Sequence, residues 1–329
     1  MAGGRMDERS GSDLMSLRVE AIRRVARDVN LVELADAGGA ELPAFEAGAH
    51  VDLHLDHGRI RPYSLANDPR ERHRYLLGIK LDRHGRGGSR WVHEQLRVGQ
   101  MLKVSAPRQN FALHEAAPHS LLIAGGIGIT PIASMVTRLE ALGRRWTLHY
   151  AVRERADAAF VDPRGDVVLQ GRHGTLHLHV DAEASGLLDV ASLVAGAGSA
   201  DHLYCCGPAA MLDAFEQAAA RYAPGRAHLE RFFAPAEASS TGGYAVELAR
   251  SARRLEVGAG QTLLQTLRGA GVRVAVSCEQ GICGTCETRV LAGRPDHRDA
   301  LLSNDEKARN DVMMVCCSGS LDPLLVLDL

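Results

Sequence analysis

Between residues 17 and 106 the apolar residues fall in runs of strand length, at 17–25, 31–34, 50–55, 75–80 and 101–104. Val51, Leu53 and Leu55 alternate with polar partners, the period-2 signature of a half-buried strand. Asp56-His57-Gly58-Arg59 then reads as a hairpin turn, and one short helix is expected from Ser89 through Leu96. Several strands separated by turn residues predict a small antiparallel barrel. From about 119 to 232 the pattern changes to strands alternating with helices. Strands are expected at 121–124, 147–152 and 203–205, and helices at 131–142 and from Pro208 to near Arg221. Thr130 suits the N-cap of the first helix, Pro131 its first position and Gly143 its C-terminal end. Repeated strand–turn–helix units predict a parallel α/β sheet. A third unit starts beyond a Pro/Ala/Ser/Gly-rich stretch at 233–242, with strands at 244–248 and 254–257 and a helix around 262–270.

Composition narrows the class. The chain has 329 residues, 46% apolar and 24% charged, with a formal net charge of -2. That is ordinary for a globular protein and gives no basic face for nucleic acid or an anionic membrane. Residues 116–137 carry no formal charge, but Gly125, Gly126, Gly128, Thr130 and Pro131 interrupt the stretch, so a strand, a turn and a new helix are expected rather than a membrane span. Residues 1–13 are polar and expected to be a disordered tail without a signal-peptide core.

The seven cysteines are odd in number and confined to the last part of the chain, beginning at Cys205-Cys206. A disulfide framework is not expected; a reduced, cytoplasmic protein with a metal site is. Cys278-Glu-Gln-Gly-Ile-Cys283-Gly-Thr-Cys286 is C-x4-C-x2-C, and 29 residues separate Cys286 from Cys316. That spacing is the plant-type [2Fe–2S] arrangement, whose loop must wrap closely enough for backbone N–H groups to point at sulfur; Gly281 and Gly284 permit this. Zinc motifs usually pair two short Cys or His spacings. Spacing favours Cys316 over Cys317 as fourth ligand, with Cys317 a packed thiol. Asp296-His297-Arg298-Asp299 is read as a solvated turn, with a partner-facing cluster as the alternative. Ser303-Asn-Asp-Glu306 has capping-box form.

Ala124-Gly-Gly-Ile-Gly-Ile-Thr-Pro131 stands where a strand gives way to a helix, the place where backbone N–H groups hold phosphate. Pro131 replaces the third glycine of the usual dinucleotide fingerprint. Cys205-Cys206-Gly207-Pro208 ends a later strand, so both turns should meet at the C-terminal edge of one sheet. Arg153 follows the second strand where an acidic residue would hold a ribose 2′-hydroxyl, and an arginine there suits a 2′-phosphate. NADH and NADPH both remain open on these residues. In the barrel, Arg61-Pro62-Tyr63-Ser64 can offer a phosphate partner, a ring-stacking phenol and a hydroxyl for a ring nitrogen. Gly88 and Ser89 open the short helix toward the same phosphate.

In this order the motifs resemble the reductases that serve Rieske-type oxygenases, of the phthalate dioxygenase reductase and vanillate O-demethylase reductase type. The resemblance covers nearly everything from Leu14 to Leu329. It implies a ferredoxin-reductase-like antiparallel β-barrel, a Rossmann-like parallel α/β domain and a C-terminal plant-type ferredoxin of β-grasp fold. The expected divisions are 14–115, 116–232, the linker 233–242, and 243–329. The resemblance places FMN on Arg61, Tyr63, Ser64, Gly88 and Ser89, with Lys80 assisting. It frames the nicotinamide with Gly126, Thr130 and Cys206-Gly207-Pro208. His228-Leu-Glu230-Arg-Phe232 matches the family's closing His-x-Glu-x-Phe, which sets Phe232 near the flavin. FMN rather than FAD follows from the missing AMP-binding extension, and NADH follows from family habit, with NADPH the alternative.

The implied activity is an NAD(P)H-dependent oxidoreductase that turns a two-electron hydride into single electrons for a protein acceptor. Ser64, Thr130, Cys206 and Phe232 are the expected catalytic-site residues, and the cluster thiolates are Cys278, Cys283, Cys286 and Cys316. The expected partner is a Rieske-type oxygenase, and the free protein is expected to be a monomer. A cytochrome P450 acceptor is one alternative, and a zinc-binding scaffold without enzyme activity is a remote one.

Overall fold

The computed structural model describes residues 14–329 except 163–164, 168, 223–224 and 234–236. The expected tail, 1–13, and residues 234–236 of the expected linker therefore lie outside the described residues. The chain forms two compact units, Met15–Phe232 and Phe233–Leu329.

The first unit begins with seven strands: β1 (Met15–Ala26), β2 (Val29–Asp36), β3 (Ala49–His54), β4 (Ile60–Ser64), β5 (Tyr75–Lys80), β6 (Met101–Val104) and β7 (Arg108–Gln109). They form one antiparallel sheet in the order β4-β3-β6-β1-β2-β5, with β7 on β3. A bridge between Leu65 and Leu77 brings the end of β4 back to β5 and closes the barrel. Leu17, Val19, Val51, Leu53, Tyr75 and Leu77 fill its interior, and helix α1 (Gly88–Glu94) contributes Trp91 and Val92. The Arg61–Ser64 stretch, read as the sequel to a strand, is itself a strand. Pro62, which has no N–H to give, is tolerated because β4 is at the end of the sheet.

The same unit continues with β8 (His119–Gly125), α2 (Ile129–Ala141), β9 (Arg145–Val152), β10 (Gly174–Val180), α3 (Val190–Ala195), β11 (His202–Cys206), α4 (Ala209–Ala219) and β12 (Ala227–Glu230). The strands make a parallel sheet in the order β10-β9-β8-β11-β12. Central strand β8 is apolar on both faces. Leu122 and Ala124 join α2 in one core, whereas Leu121 and Ile123 meet Val190, Val194, Leu212 and Phe215 from α3 and α4 in another. The α2 core also takes in Val29, Leu31 and Leu76 of the barrel, so barrel and parallel sheet share buried surface. Each such fully buried side chain contributes roughly 1.5–3 kcal/mol.

The second unit holds β13 (Tyr244–Leu248), β14 (Arg253–Val257), α5 (Leu263–Gly269), β15 (Glu287–Ala292), β16 (Pro295–Asp296), α6 (Asn304–Arg309), β17 (Val312–Met314), β18 (Gly319–Ser320) and β19 (Leu324–Leu327). Its main sheet runs β14-β13-β19-β15-β17. The central β13–β19 pair is parallel and its neighbours are antiparallel, a β-grasp arrangement with Leu263, Leu264 and Leu267 of α5 packed on it. Capping boxes close the starts of α5 at Thr262 and α6 at Ser303. No helix among the described residues is long and apolar enough to cross a membrane.

One helix start differs from expectation. A 3-10 turn at Gly126–Gly128 winds directly into α2, whose N-cap is Gly128. Thr130 is therefore inside the helix, its hydroxyl donating to the Ile127 carbonyl at 3.0 Å. Gly143, at φ +63°, does terminate that helix as expected.

Candidate functional site

Parallel pairing of β8 with β11 sets Cys206 opposite Ala124, and this register brings the two turns together. A Cβ on Gly128 would collide with the Cys206 carbonyl and lie 2.9 Å from the Gly207 nitrogen. A Cβ on Gly125 would lie 2.5 Å from the Pro208 ring. Gly125, Gly128 and Gly207 thus let the two turns pack backbone against backbone at the C-terminal edge of the sheet, where open α/β folds take ligands. Thr130, 2% exposed, stands beside it. A Cβ on Gly78 of β5 would lie 2.6 Å from Thr130 Cγ2 and 3.1 Å from the Phe160 ring, so the barrel meets the nucleotide turn here. Ser64, buried, ends β4 next to β5 by way of the Leu65–Leu77 bridge.

Arg61 and Gly88 are in direct apposition: a Cβ on Gly88 would lie 2.6 Å from Arg61 Cγ. Arg61 Nη1 donates to its neighbour's carbonyl, Ile60 O, at 2.7 Å and Nη2 to Arg86 O at 3.2 Å, which aims the guanidinium along the start of α1. The Ser89 hydroxyl accepts the Asp82 N–H at 3.0 Å and fixes the preceding loop. Tyr63 is partly exposed on the same strand, with burial pushing its hydroxyl well up. Lys80 is exposed at the end of β5, and its charge adds to the Arg27 hydrogen bond in holding Asp157 below the ordinary carboxylate range. Arg153 is exposed at the end of β9, whereas Arg155 is tied to Glu183 at 2.6 Å.

Cys206 is fully buried, and burial raises its thiol well above the ordinary range, with Glu230 and Cys205 adding to the effect. Burial likewise pushes Cys205 up to about 12. A thiol held neutral in this way is a poor nucleophile. Pairing of β11 with β12 sets Glu230 opposite Cys206. Burial pushes the Glu230 carboxyl up to about 8, and its Oε2 has no hydrogen-bond partner among the described residues. Two residues on, Phe232 packs on the core shared by barrel and sheet. Sequence reasoning quoted Glu230 only as part of a motif and missed Gly78 and Phe160. A glycine inside the strand YLLGIK was the available signal for a close approach.

In the second unit Cys278, Cys283, Cys286, Cys316 and Cys317 are all buried and form no disulfide. The thiols fall into pairs. Cys283 is raised by its hydrogen bond with Cys278 and by burial, and Cys286 by its hydrogen bond with Cys316 and by burial. Among the described residues no three ligating side chains converge on a single ion. Paired thiols are what a two-iron cluster requires, two at each iron. The loop offers N–H groups and hydroxyls to sulfur: Gln280 N–H to Cys278 Sγ at 3.3 Å, and Thr285 Oγ1 3.2 Å from Cys283 Sγ. Cys316, not Cys317, faces Cys286. Cys317 Sγ lies instead by Gly281, where a Cβ would come within 2.5 Å of it. The solvated-turn reading of 296–299 is corrected: the side chain of Asp299 is 0% exposed and that of His297 9%, because the turn folds under the cysteine loop.

A barrel, a parallel sheet with glycine turns at one edge, and a β-grasp unit with paired thiols define an oxidoreductase with a [2Fe–2S] module. A 2Fe-2S iron-sulfur cluster binding domain family matches residues 246–319. The chain is 50% identical over 96% of its length to phenoxybenzoate dioxygenase subunit beta of Ectopseudomonas oleovorans, covering 97% of that protein. It is 48% identical to tetrachlorobenzoquinone reductase of Sphingobium chlorophenolicum, over 96% of this chain and 98% of that one. Among solved structures, phthalate dioxygenase reductase matches at a TM-score of 0.71 and 38% identity, covering 96% of this chain and 98% of that one. An intact type IV self-sufficient cytochrome P450 monooxygenase matches at 0.84 and 36% identity, this chain spanning 41% of its length and being itself 96% covered. The chain belongs to the family of oxygenase reductase components that includes phthalate dioxygenase reductase and vanillate O-demethylase oxidoreductase.

Proposed function

We propose that the protein carries electrons from NADH, through FMN and a [2Fe–2S] cluster, to a Rieske-type oxygenase in the cytoplasm. The observations that carry this reading are the close approach of Gly78 in the barrel to Thr130 and of Gly128 to Cys206 across the sheet's C-terminal edge, in a chain that also pairs four cluster-type thiols. FMN when bound supplies the conversion of a hydride into single electrons, and the cluster supplies the one-electron relay. Arg61 and the Gly88–Ser89 N–H groups would hold the flavin phosphate, and Tyr63 and the Ser64 hydroxyl would hold its ring. Gly126, Gly207 and Pro208 leave backbone exposed for the dinucleotide. Thr130 and the neutral Cys206 thiol would position the nicotinamide, with Glu230 in its protonated form a hydrogen-bond donor and Phe232 an apolar neighbour. Arg153, exposed just past β9, is of a type that suits a 2′-phosphate, so the NADH preference rests on the family resemblance.

Cysteines 278, 283, 286 and 316 hold the cluster. The test is Cys283→Ser in the full-length protein. NADH-driven dye reduction at the flavin is expected to persist, while reduction of a one-electron protein acceptor is lost. Equal loss of both would sink the relay order. Steady-state rates with NADH and NADPH decide the nucleotide.

A second reading has support in the P450 fusion that this chain resembles: the acceptor is a cytochrome P450. Reduction of a purified Rieske oxygenase against a purified P450 by the same protein separates the two.

A further inference from the structure

The turn at 295–302 is bonded to both halves of the cysteine cradle. Its Pro295–Asp296 strand pairs with Gly319–Ser320, just past Cys316 and Cys317. Arg298 N–H donates to Ser318 Oγ at 3.2 Å, and Ala300 N–H donates to the Gly281 carbonyl at 3.0 Å. Gly281, at φ +68°, is pressed between this turn and Cys317: a Cβ there would lie 2.8 Å from Asp299 Cα and 2.5 Å from Cys317 Sγ. A carboxylate is therefore built into the wall of the loop that holds Cys278 and Cys283.

That carboxylate is only half satisfied. Asp299 Oδ2 accepts N–H bonds from Leu301 and Leu302 at 3.2 and 2.8 Å. Asp299 Oδ1 is buried without a hydrogen-bond partner among the described residues, 3.6 Å from His297 Nδ1, and neither His297 ring nitrogen is bonded. Lys307 Nζ donates to the Asp299 carbonyl at 2.7 Å and stands 3.8 Å from Oδ2. A buried, incompletely paired charge costs stability, and its place here is against a site whose charge changes by one electron. Local charge and hydrogen bonding set the potential of such clusters.

We propose that Asp299 is a positioning residue of the cluster cradle whose negative charge holds the cluster potential down, with Lys307 opposing it. The proposal rests on the assignment of the cluster to the four paired cysteines. The test is a spectroelectrochemical titration of the full-length holoprotein, preceded by iron content and the visible spectrum. Asp299→Asn keeps the acceptor for Leu301 and Leu302 but removes the charge. With cluster content retained, its potential is expected to rise, a tenfold change in the reduction equilibrium being about 59 mV for one electron. Lys307→Gln is expected to move the potential the opposite way. Shifts of the same sign, or none, at full iron content overturn the proposal. If Asp299→Asn loses its iron, Lys307→Gln alone decides: a downward shift upholds the proposal and anything else overturns it. Iron loss in both variants makes the turn a mechanical clamp and overturns the electrostatic role. Absence of iron from the unaltered protein overturns the cluster assignment itself, a distinct failure.

Discussion

The cysteine loop and the nucleotide edge are built by opposite strategies. The loop concentrates its chemistry in side chains of one short stretch, Cys278 to Cys286, completed by Cys316. The edge concentrates its chemistry in backbone: Gly125, Gly128 and Gly207 are there because any Cβ would strike the neighbouring turn. Side-chain sites are specified by identity and spacing, so removing one atom type abolishes them. Backbone sites are specified by the absence of bulk, so adding one carbon damages them.

The sharpest separation comes from the adjacent thiols. Cys316→Ser should remove the thiol facing Cys286 and sharply reduce iron content and visible absorption, since changes merely behind a ligand already cost ~10–100-fold in metal affinity. Cys317→Ser should leave both near the unaltered level, since Cys317 lies by Gly281 instead. Iron analysis of the two purified variants checks this, and the reverse ranking would overturn the pairing.

Next in size is Gly128→Ala. Its φ of −61° suits alanine, so the damage is steric: the added methyl meets the Cys206 carbonyl and has no flexible neighbour to displace. Overpacking of this kind costs about 1–3 kcal/mol, here located at the sheet's C-terminal edge. The expected result is a raised KM for NADH and a lower thermal midpoint, with an unchanged cluster spectrum. A loss of iron instead would mean that the two sites are not independent.

The same contrast explains what could be read from sequence. C-x4-C-x2-C with a distant fourth cysteine is one contiguous signal, and the strands of the barrel announced themselves through alternation at Val51, Leu53 and Leu55. The edge strand β10 and the closing strand β12 were not seen, because their residues are only partly buried and their alternation is masked by histidines. Thr130 was misplaced at a cap because a 3-10 turn and an α-helix run together there. Glu230 and Asp299 look like ordinary surface acids in sequence. The burial of Glu230 Oε2 and of the Asp299 side chain follows from strand pairing with Cys206 and from a turn folding under the loop, which are tertiary facts.

Glu230 sharpens the comparison from the nucleotide side. Its carboxyl is raised from an ordinary 4.5 to about 8 by burial, so the folded state binds the proton more tightly than the unfolded one. Stability should therefore be highest below pH 4.5 as far as this group is concerned, and fall as pH rises toward 8. Each pH unit inside that window is worth at most about 1.4 kcal/mol. Glu230→Gln keeps the neutral shape and should remove the dependence, matching the unaltered protein near pH 5 and exceeding it at pH 8.5. Both tryptophans, Trp91 and Trp146, lie in the Met15–Phe232 unit, so denaturant titrations followed by their fluorescence report on the relevant unit. Equal stability differences at the two pH values would refute the burial argument.

The smallest effect tests the same face of these strands, one pair nearer their starts. His114, His202 and His228 form a stack, with centroids 4.1 and 5.4 Å apart, and His202 Nδ1 lies 3.1 Å from His228 Nε2. Burial, then the neighbouring histidines, lowers His228 from 6.5 to about 4. The neutral ring is the one the fold accepts, so its stabilisation is present above about pH 6.5 and is lost as pH falls toward 4. His228 is partly open to solvent, and screening reduces the effect to on the order of 1 kcal/mol. His228→Gln should flatten the acid limb of the tryptophan-monitored stability curve between pH 7.5 and 5 while leaving iron content untouched. An acid limb as steep as before would show that the stack does not govern this edge of the sheet.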